Sequence, residues 1–288
     1  MYVIAGVSGQ TGSVAASALL GDRRPVRVIV RGADKGAPWQ ARGAQVAVAS
    51  LGDRAALAGA LTGADGAYLL LPPFGFDETD IAAGRRQLID AIAGAVEDAR
   101  PGHVVLLSSI GADRPSGTGP IAFLHTLEAR LRDTGVPASF LRAAFFMENW
   151  GAMVKGALAG GALHYAAREG LRFAQVATPD IGRTAAHLLV QGPPRGTRIV
   201  QLAGPAELTL QETAVAIGRA AGVPLTAVSI SSDALVDALT GMGASRDIAS
   251  LYGELATALN AGLLEWQSTD VLRGRVTLED RIRELLSR

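Results

Sequence analysis

The chain has 288 residues, 49 % of them hydrophobic, and its 27 lysines and arginines balance 27 aspartates and glutamates. Zero net charge, with no basic tail or basic-aromatic stripe, argues against nucleic-acid and membrane-surface partners, and apolar runs broken by charges argue against a membrane span. The lack of cysteine excludes disulfides, thiolate nucleophiles and cysteine-bound metals, and four scattered histidines form no metal-ligating motif, so no metal site is expected.

The first strand begins almost at Met1, with no leader-like segment ahead of it, which points to a cytoplasmic protein. That apolar run opens into Gly6-Val-Ser8-Gly9-Gln10-Thr11-Gly12, followed by an alanine-rich stretch with helical spacing. Such a strand, turn and helix suits a nucleotide. Gly6 permits a sharp turn, Gly9 lets the backbone approach a pyrophosphate, and Gly12 lets the helix pack against its strand. Free N–H groups at the helix start would receive the negative charge. The spacing is looser than the usual dinucleotide fingerprint, and a turn without ligand is the alternative.

A second strand, Val26–Val30, ends at Arg31-Gly-Ala-Asp-Lys35. In a doubly wound sheet this point lies beside the adenosine ribose, where an acid favours NAD and an arginine the 2′-phosphate of NADP. Arg31, assisted by Lys35, favours NADP over NAD; Asp34 is the competing residue. A short helix is expected over 37–42, a strand over 45–49, a helix over 55–61 and a strand over 65–71, stopped by Pro72-Pro73. A long helix over 81–99, a strand over 103–109, a helix over 121–134 and a strand near 138–141 complete this half. Apolar strands alternating with helices imply an α/β fold: a Rossmann-like doubly wound parallel sheet.

The second half is less regular. Helices are expected over 150–158, 180–189 (entered through an Asp180 cap), 210–222, 233–239 and 248–261, with a strand over 197–202. Residues 1–150 are thus read as the dinucleotide-binding core, and residues 151–288 as a smaller mixed region that completes the fold and forms the substrate pocket.

The chain resembles the atypical short-chain dehydrogenase/reductases, and within them the NmrA-like NAD(P)-binding proteins, including quinone-reductase-like members. The resemblance rests on Gly6-x-x-Gly9-x-x-Gly12, Arg31, Gly52-Asp53, Leu71-Pro-Pro73, Ser108-Ser109, His125-x-x-Glu128 and Leu141-Arg142-Ala-Ala-Phe145-Phe146-Met147-Glu148-Asn149-Trp150. It extends to Gly222-Val-Pro and the 249–262 segment. It implies that Thr11 and the amides around Gly9 and Gly12 hold pyrophosphate and that Arg31 and Lys35 hold the adenosine-side phosphate. Leu51 and Asp53 would lie near adenine, and Leu71 and Pro72 would flank a ribose. Ser108 or Ser109 would sit near nicotinamide, or else satisfy backbone groups at the strand end. Phe145, Phe146, Met147 and Asn149 would face the substrate; plain core packing is the alternative for the first three.

Short-chain dehydrogenases typically pair a tyrosine with a lysine four residues later, near the helix after the fifth strand. No Tyr-x-x-x-Lys occurs here; the segment reads Pro120-Ile-Ala-Phe-Leu-His125-Thr-Leu-Glu128. A quinone or iminium accepts hydride readily, and a serine such as Ser109, a backbone N–H or water can stabilise the developing oxyanion. His125 is the nearby group suited to proton exchange near neutrality. Its alternatives are a structural cap or a bond to Glu128.

The leading expectation is an NADPH-preferring reductase of a small conjugated or aromatic acceptor such as a quinone, enone or imine, acting as a monomer or homodimer. A non-catalytic NAD(P) sensor with a regulatory protein partner, and an isomerase or dehydratase on the same fold, are the alternatives.

Overall fold

The computed structural model describes residues 1–75, Glu78 and 80–287. β1 (Tyr2–Ile4) passes through the glycine loop into α1 (Gln10–Gly21). Then follow β2 (Val26–Val30), α2 (Ala37–Gln40), β3 (Gln45–Val48), α3 (Arg54–Leu61), β4 (Gly66–Leu70) and α4 (Ile81–Ala99). β5 (Val104–Ser109), α5 (Ile121–Asp133) and β6 (Ala138–Ala143) close the first half.

Beyond β6 the chain forms β7 (Phe145–Phe146), a 3₁₀ turn (Met147–Trp150), α6 (Gly151–Gly160), β8 (Ala162–Tyr165), β9 (Phe173–Val176) and α7 (Thr178–Gln191). It continues as β10 (Thr197–Ala203), β11 (Glu207–Leu208), α8 (Leu210–Ala221), β12 (Thr226–Ser229), α9 (Ser232–Gly241) and α10 (Arg246–Asn260). β13 (Val271–Arg273) and α11 (Leu278–Leu286) end it.

Eight strands pair in the order β3-β2-β1-β4-β5-β6-β10-β13, every pair parallel. The expected α/β doubly wound sheet is present, and α7, β10 and β13 from beyond residue 150 belong to it. Near-continuous burial of Val3, Ile4, Val28, Val30, Tyr68, Leu69, Val105 and Leu106 reflects cover on both faces. α1 and α7 cover one face through Ala15, Leu19, Ile181 and Leu188. Leu57, Ile89, Ile92, Val96 and Leu127, from α3, α4 and α5, cover the other. A third core joins the 3₁₀ turn, α6, α8 and α11 around Trp150, Ile217 and Ile282.

The strand order reverses between β1 and β4. A crevice for a ligand opens at such a reversal, beyond the carboxyl ends of the strands.

Several helices start one or two residues from the expected position, and at α7 the shift changes a residue's role. α7 begins two residues earlier, with Ala177 at the N-cap and Pro179 in the first turn. Proline is preorganised for that position and loses no needed hydrogen bond there. Asp180 therefore sits inside the helix. Its carboxylate accepts from the backbone N–H groups of Arg275 and Val276, both at 2.9 Å, and from Arg183. It ties the segment after β13 to α7 instead of capping its own helix.

His103, just before β5, is fully buried. Its ring nitrogens lie near the carbonyls of Asp65 and Leu188 without good hydrogen-bond geometry, and burial pushes its pKa below the usual histidine value. The unfolded chain then takes up a proton first, so stability falls as pH drops below about 6.5, by up to about 1.4 kcal/mol per pH unit. Urea denaturation between about pH 7.5 and pH 5.5 should show this loss, and His103→Phe should reduce it. An unchanged slope in the variant would remove His103 as its source.

Candidate functional site

The site is built at the carboxyl edge of the sheet. Gly6 follows β1 with φ +68°, a left-handed conformation that disfavours any side chain, and a Cβ there would also lie 2.5 Å from Leu70 Cδ2. Gly12 lies in the first turn of α1, where a Cβ would meet the Ala5 and Gly6 carbonyl oxygens at 2.4 and 2.5 Å. The α1 N-terminus thus rests directly on the β1 backbone. Gly9 is its N-cap with no side-chain cap, and Ser8, Gly9 and Gln10 are exposed. The first-turn N–H groups lack intrahelical partners, so this end of α1 fits a pyrophosphate.

Thr11 differs from its neighbours. It is buried, and its hydroxyl accepts a hydrogen bond from Tyr68 at 2.9 Å. Burial pushes the Tyr68 phenol well above its usual pKa, so it remains a donor. The Thr11 side chain fastens α1 to β4, which leaves its backbone N–H as the group available to a ligand.

Arg31 follows β2, is exposed, and makes no ion pair among the described residues. Lys35 is also exposed and lies 3.5 Å from Asp34, which moderates its charge. Asp53 caps α3, accepting from the Ala56 N–H at 3.0 Å, with half-buried Leu51 two residues before it. Leu71 and Pro72 follow β4, both half-buried. Arg85 of α4 donates to the Pro72 carbonyl at 2.7 Å and stacks 4.0 Å from the centre of the Phe74 ring.

β5 and β6 end side by side, with Ser108 opposite Arg142 and Ser109 opposite Ala143. Ser108 is buried and donates to Glu128 at 2.6 Å, not to a strand-end backbone group. Glu128, fully buried on α5, also accepts from Arg142 at 2.6 and 2.9 Å and from Arg132 at 3.0 Å. Arg142 donates onward to Gln267 at 2.6 Å. Ser109 is half-buried and donates to the Ile110 carbonyl at 3.0 Å.

His125 makes no bond to Glu128. Its Nδ1 lies 3.0 Å from the Ala112 carbonyl, which can only accept, so Nδ1 carries the proton in this contact. Nε2 is left without a partner among the described residues.

Beyond β6, Met147 is 2 % exposed and packs in the third core beside Trp150. Phe145 and Phe146 are half-buried and Asn149 is exposed, so the surface of this segment falls to those three. Phe145 contacts Tyr165 edge-on at 5.8 Å between ring centres, and Tyr165 contacts Trp150 at 5.0 Å.

Tyr165 and Tyr252 carry further chemistry. Neither hydroxyl has a hydrogen-bond partner among the described residues; Tyr165 is 8 % exposed and Tyr252 half-buried. Burial raises both phenols' pKa; Tyr252 further raises that of Tyr165, while Arg85 opposes the shift of Tyr252. Tyr252 packs in the cluster holding Phe74 and Phe123. The pair thus spans from the loop after β4 to the aromatic group after β6. Nothing in the sequence pairs these tyrosines, because α10 brings Tyr252 over the strand ends only through tertiary packing.

Among the described residues, no helix is long and apolar enough to cross a membrane, and no cluster of three or more histidine or acidic residues is placed to hold a metal ion.

A family model, the NmrA-like family, matches residues 2–273. An NAD(P)H azoreductase of Xenophilus azovorans is 27 % identical over 255 residues, covering 88 % of this chain and 86 % of its own. Quinone oxidoreductase 2 of Escherichia coli is 27 % identical over 269 residues, covering 88 % and 90 %. The crystal structure of an NADPH-dependent quinone oxidoreductase from Escherichia coli, complexed with NADPH, superimposes with a TM-score of 0.84. It is 25 % identical, with 99 % of this chain and 100 % of the other covered.

Proposed function

The chain belongs to the NmrA-like family, and from that premise we propose that it is a cytoplasmic NADPH-preferring oxidoreductase passing hydride to a small conjugated acceptor such as a quinone, enone or imine. The observation that carries this reading is the uncapped α1 N-terminus, seated on β1 by Gly12 with Arg31 at the end of the neighbouring strand. The named activities of the azoreductase and quinone oxidoreductase relatives support an acceptor of this class.

In this reading Gly6, Ser8, Gly9, Gln10, Gly12 and the Thr11 N–H form the pyrophosphate cradle. Arg31 binds the 2′-phosphate with Lys35 in support, a bidentate guanidinium being suited to phosphate oxygens. Leu51 and Asp53 border the adenine, and Leu71 and Pro72 border a ribose. When bound, the dinucleotide supplies a hydride from C4 of its dihydronicotinamide ring. Ser108 acts through Glu128 to hold the end of β5, placing Ser109 and His125 at the reacting edge. Phe145 and Phe146 form an apolar wall for a planar acceptor, and Asn149 offers a polar edge.

The Tyr165 and Tyr252 hydroxyls supply hydrogen bonds to the acceptor oxygen as charge develops there. Their raised pKa keeps them protonated, which suits donors and disfavours a role as bases. His125 Nε2 exchanges the proton with water. For a quinone, which needs one hydride and one proton to become hydroquinone, the bound dinucleotide would supply the hydride and these side chains the proton, with solvent reprotonating them.

The test is dihydronicotinamide consumption with quinone, azo, enone and imine acceptors, alongside binding of NADPH and NADH. NADPH should bind more tightly than NADH and be consumed with at least one acceptor. The Tyr165→Phe/Tyr252→Phe variant should be slowed about ten- to a hundredfold with NADPH affinity unchanged. NADPH that binds but is consumed no faster with any acceptor would overturn the reductase reading. An unslowed double variant would remove the phenols from it.

A further inference from the structure

The last helix of the chain reaches its first loop. Arg281 of α11 has a side chain 2 % exposed, and its three nitrogens have separate partners. Nε donates to Glu148, Nη1 to Glu284 at 2.5 Å, and Nη2 to Gln10 Oε1 at 2.8 Å. Glu148 is also buried, at 4 % exposure, and accepts from the Thr178 N–H at 2.9 Å and its hydroxyl at 2.7 Å. The Thr178 hydroxyl lies 3.1 Å from the same Gln10 oxygen.

A guanidinium donates and never accepts, so the Gln10 atom facing Arg281 must be the carboxamide oxygen. That fixes the amide. Its NH₂ group is turned away from Arg281, on an exposed side chain at the N-terminus of α1, and has no partner among the described residues. Two carboxylates already occupy the guanidinium, so the buried cation has little charge to offer a phosphate directly. A neutral amide standing between them is a suitable intermediary.

We infer that Arg281 is a positioning residue of the dinucleotide loop, holding the Gln10 carboxamide so that its NH₂ donates to the pyrophosphate. This rests on the cofactor reading above. One buried cation thereby also holds Glu148, the neighbour of Asn149, so the anion cradle and the substrate wall share one support.

The test compares Arg281→Met, Arg281→Lys and Gln10→Glu by titrating tryptophan fluorescence with NADPH and with adenosine 2′-monophosphate, which lacks the pyrophosphate. Gln10→Glu keeps an acceptor for Arg281 but removes the NH₂ donor, and it changes an exposed residue, so it serves even where Arg281→Met does not fold. NADPH should bind at least about tenfold more weakly to Gln10→Glu and Arg281→Met, with Arg281→Lys intermediate. The monophosphate should bind all variants as it binds the parent. Equal weakening of both ligands would mean a general structural role and overturn the inference, as would unchanged NADPH affinity in Gln10→Glu. If the parent binds neither ligand, it is the cofactor reading that fails.

Discussion

Gly12→Ala should abolish measurable NADPH binding and lower stability by about 2–3 kcal/mol in urea denaturation. The added methyl would lie 2.4 Å from the Ala5 oxygen, 2.5 Å from the Gly6 oxygen and 2.6 Å from the Gly6 carbonyl carbon. All three are main-chain atoms, so no rotamer change relieves the contact. The chain must lift the start of α1 away from β1, and that movement would displace the N–H groups proposed to receive the anion. Gly21→Ala at the other end of the same helix meets nothing within 4 Å and is the control. It should be neutral or stabilise by a few tenths of a kcal/mol, since alanine is the better helix former. Gly9→Ala separates the two effects: its Cβ meets only the Gly6 oxygen, at 3.3 Å, so binding should weaken more than stability. A Gly12→Ala protein with parental NADPH affinity would refute the seating of α1 on β1 as the basis of the site.

The first half of this fold is legible because each strand is a buried apolar run and each break has a chemical cause. The bounds of β2 at Val26–Val30 and α4 at Ile81–Ala99 match the sequence pattern residue for residue. Pro72-Pro73 stops β4 as proline must. In the second half that logic weakens. β8, β9, β12 and β13 are three or four residues long and pair with partners far away in sequence, so their alternation is too brief to register. α11 is short and strongly charged, and the sequence pattern predicts no element there, yet Leu278, Arg281 and Ile282 are buried. Asp180 shows the same limit: a cap is a local pattern, whereas accepting from Arg275 and Val276 is a contact across 95 residues.

The candidate site divides along the same line. Gly6, Gly9, Gly12 and Arg31 stand in local motifs whose geometry follows from their own neighbours. Ser108 does not, because its partner Glu128 is 20 residues away and buried behind the sheet. Tyr165, Tyr252 and Arg281 are invisible to spacing, since only tertiary packing brings them to the strand ends or to the first loop.

Arg142→Met should cost about 3–5 kcal/mol. Arg142 and Glu128 are 5 % and 1 % exposed. Their paired bonds of 2.6 and 2.9 Å are the main compensation for burying the Glu128 charge. Without Arg142, the carboxylate keeps, among the described residues, only the Ser108 hydroxyl and Arg132, a residue 39 % exposed whose attraction water weakens. Removing one partner leaves a buried charge, whereas removing both removes the debt as well. The double variant Arg142→Met/Glu128→Met should therefore be more stable than Arg142→Met alone. A urea-denaturation cycle over the four proteins measures this coupling. Strictly additive losses, or a loss below about 1 kcal/mol for Arg142→Met, would show that the pair does not hold the ends of β5 and β6. With coupling present, the double variant should still reduce acceptors more slowly than the parent, because Ser108 has lost the carboxylate that fixes it. Stability is then recovered without the geometry that places Ser109 beside the reacting edge.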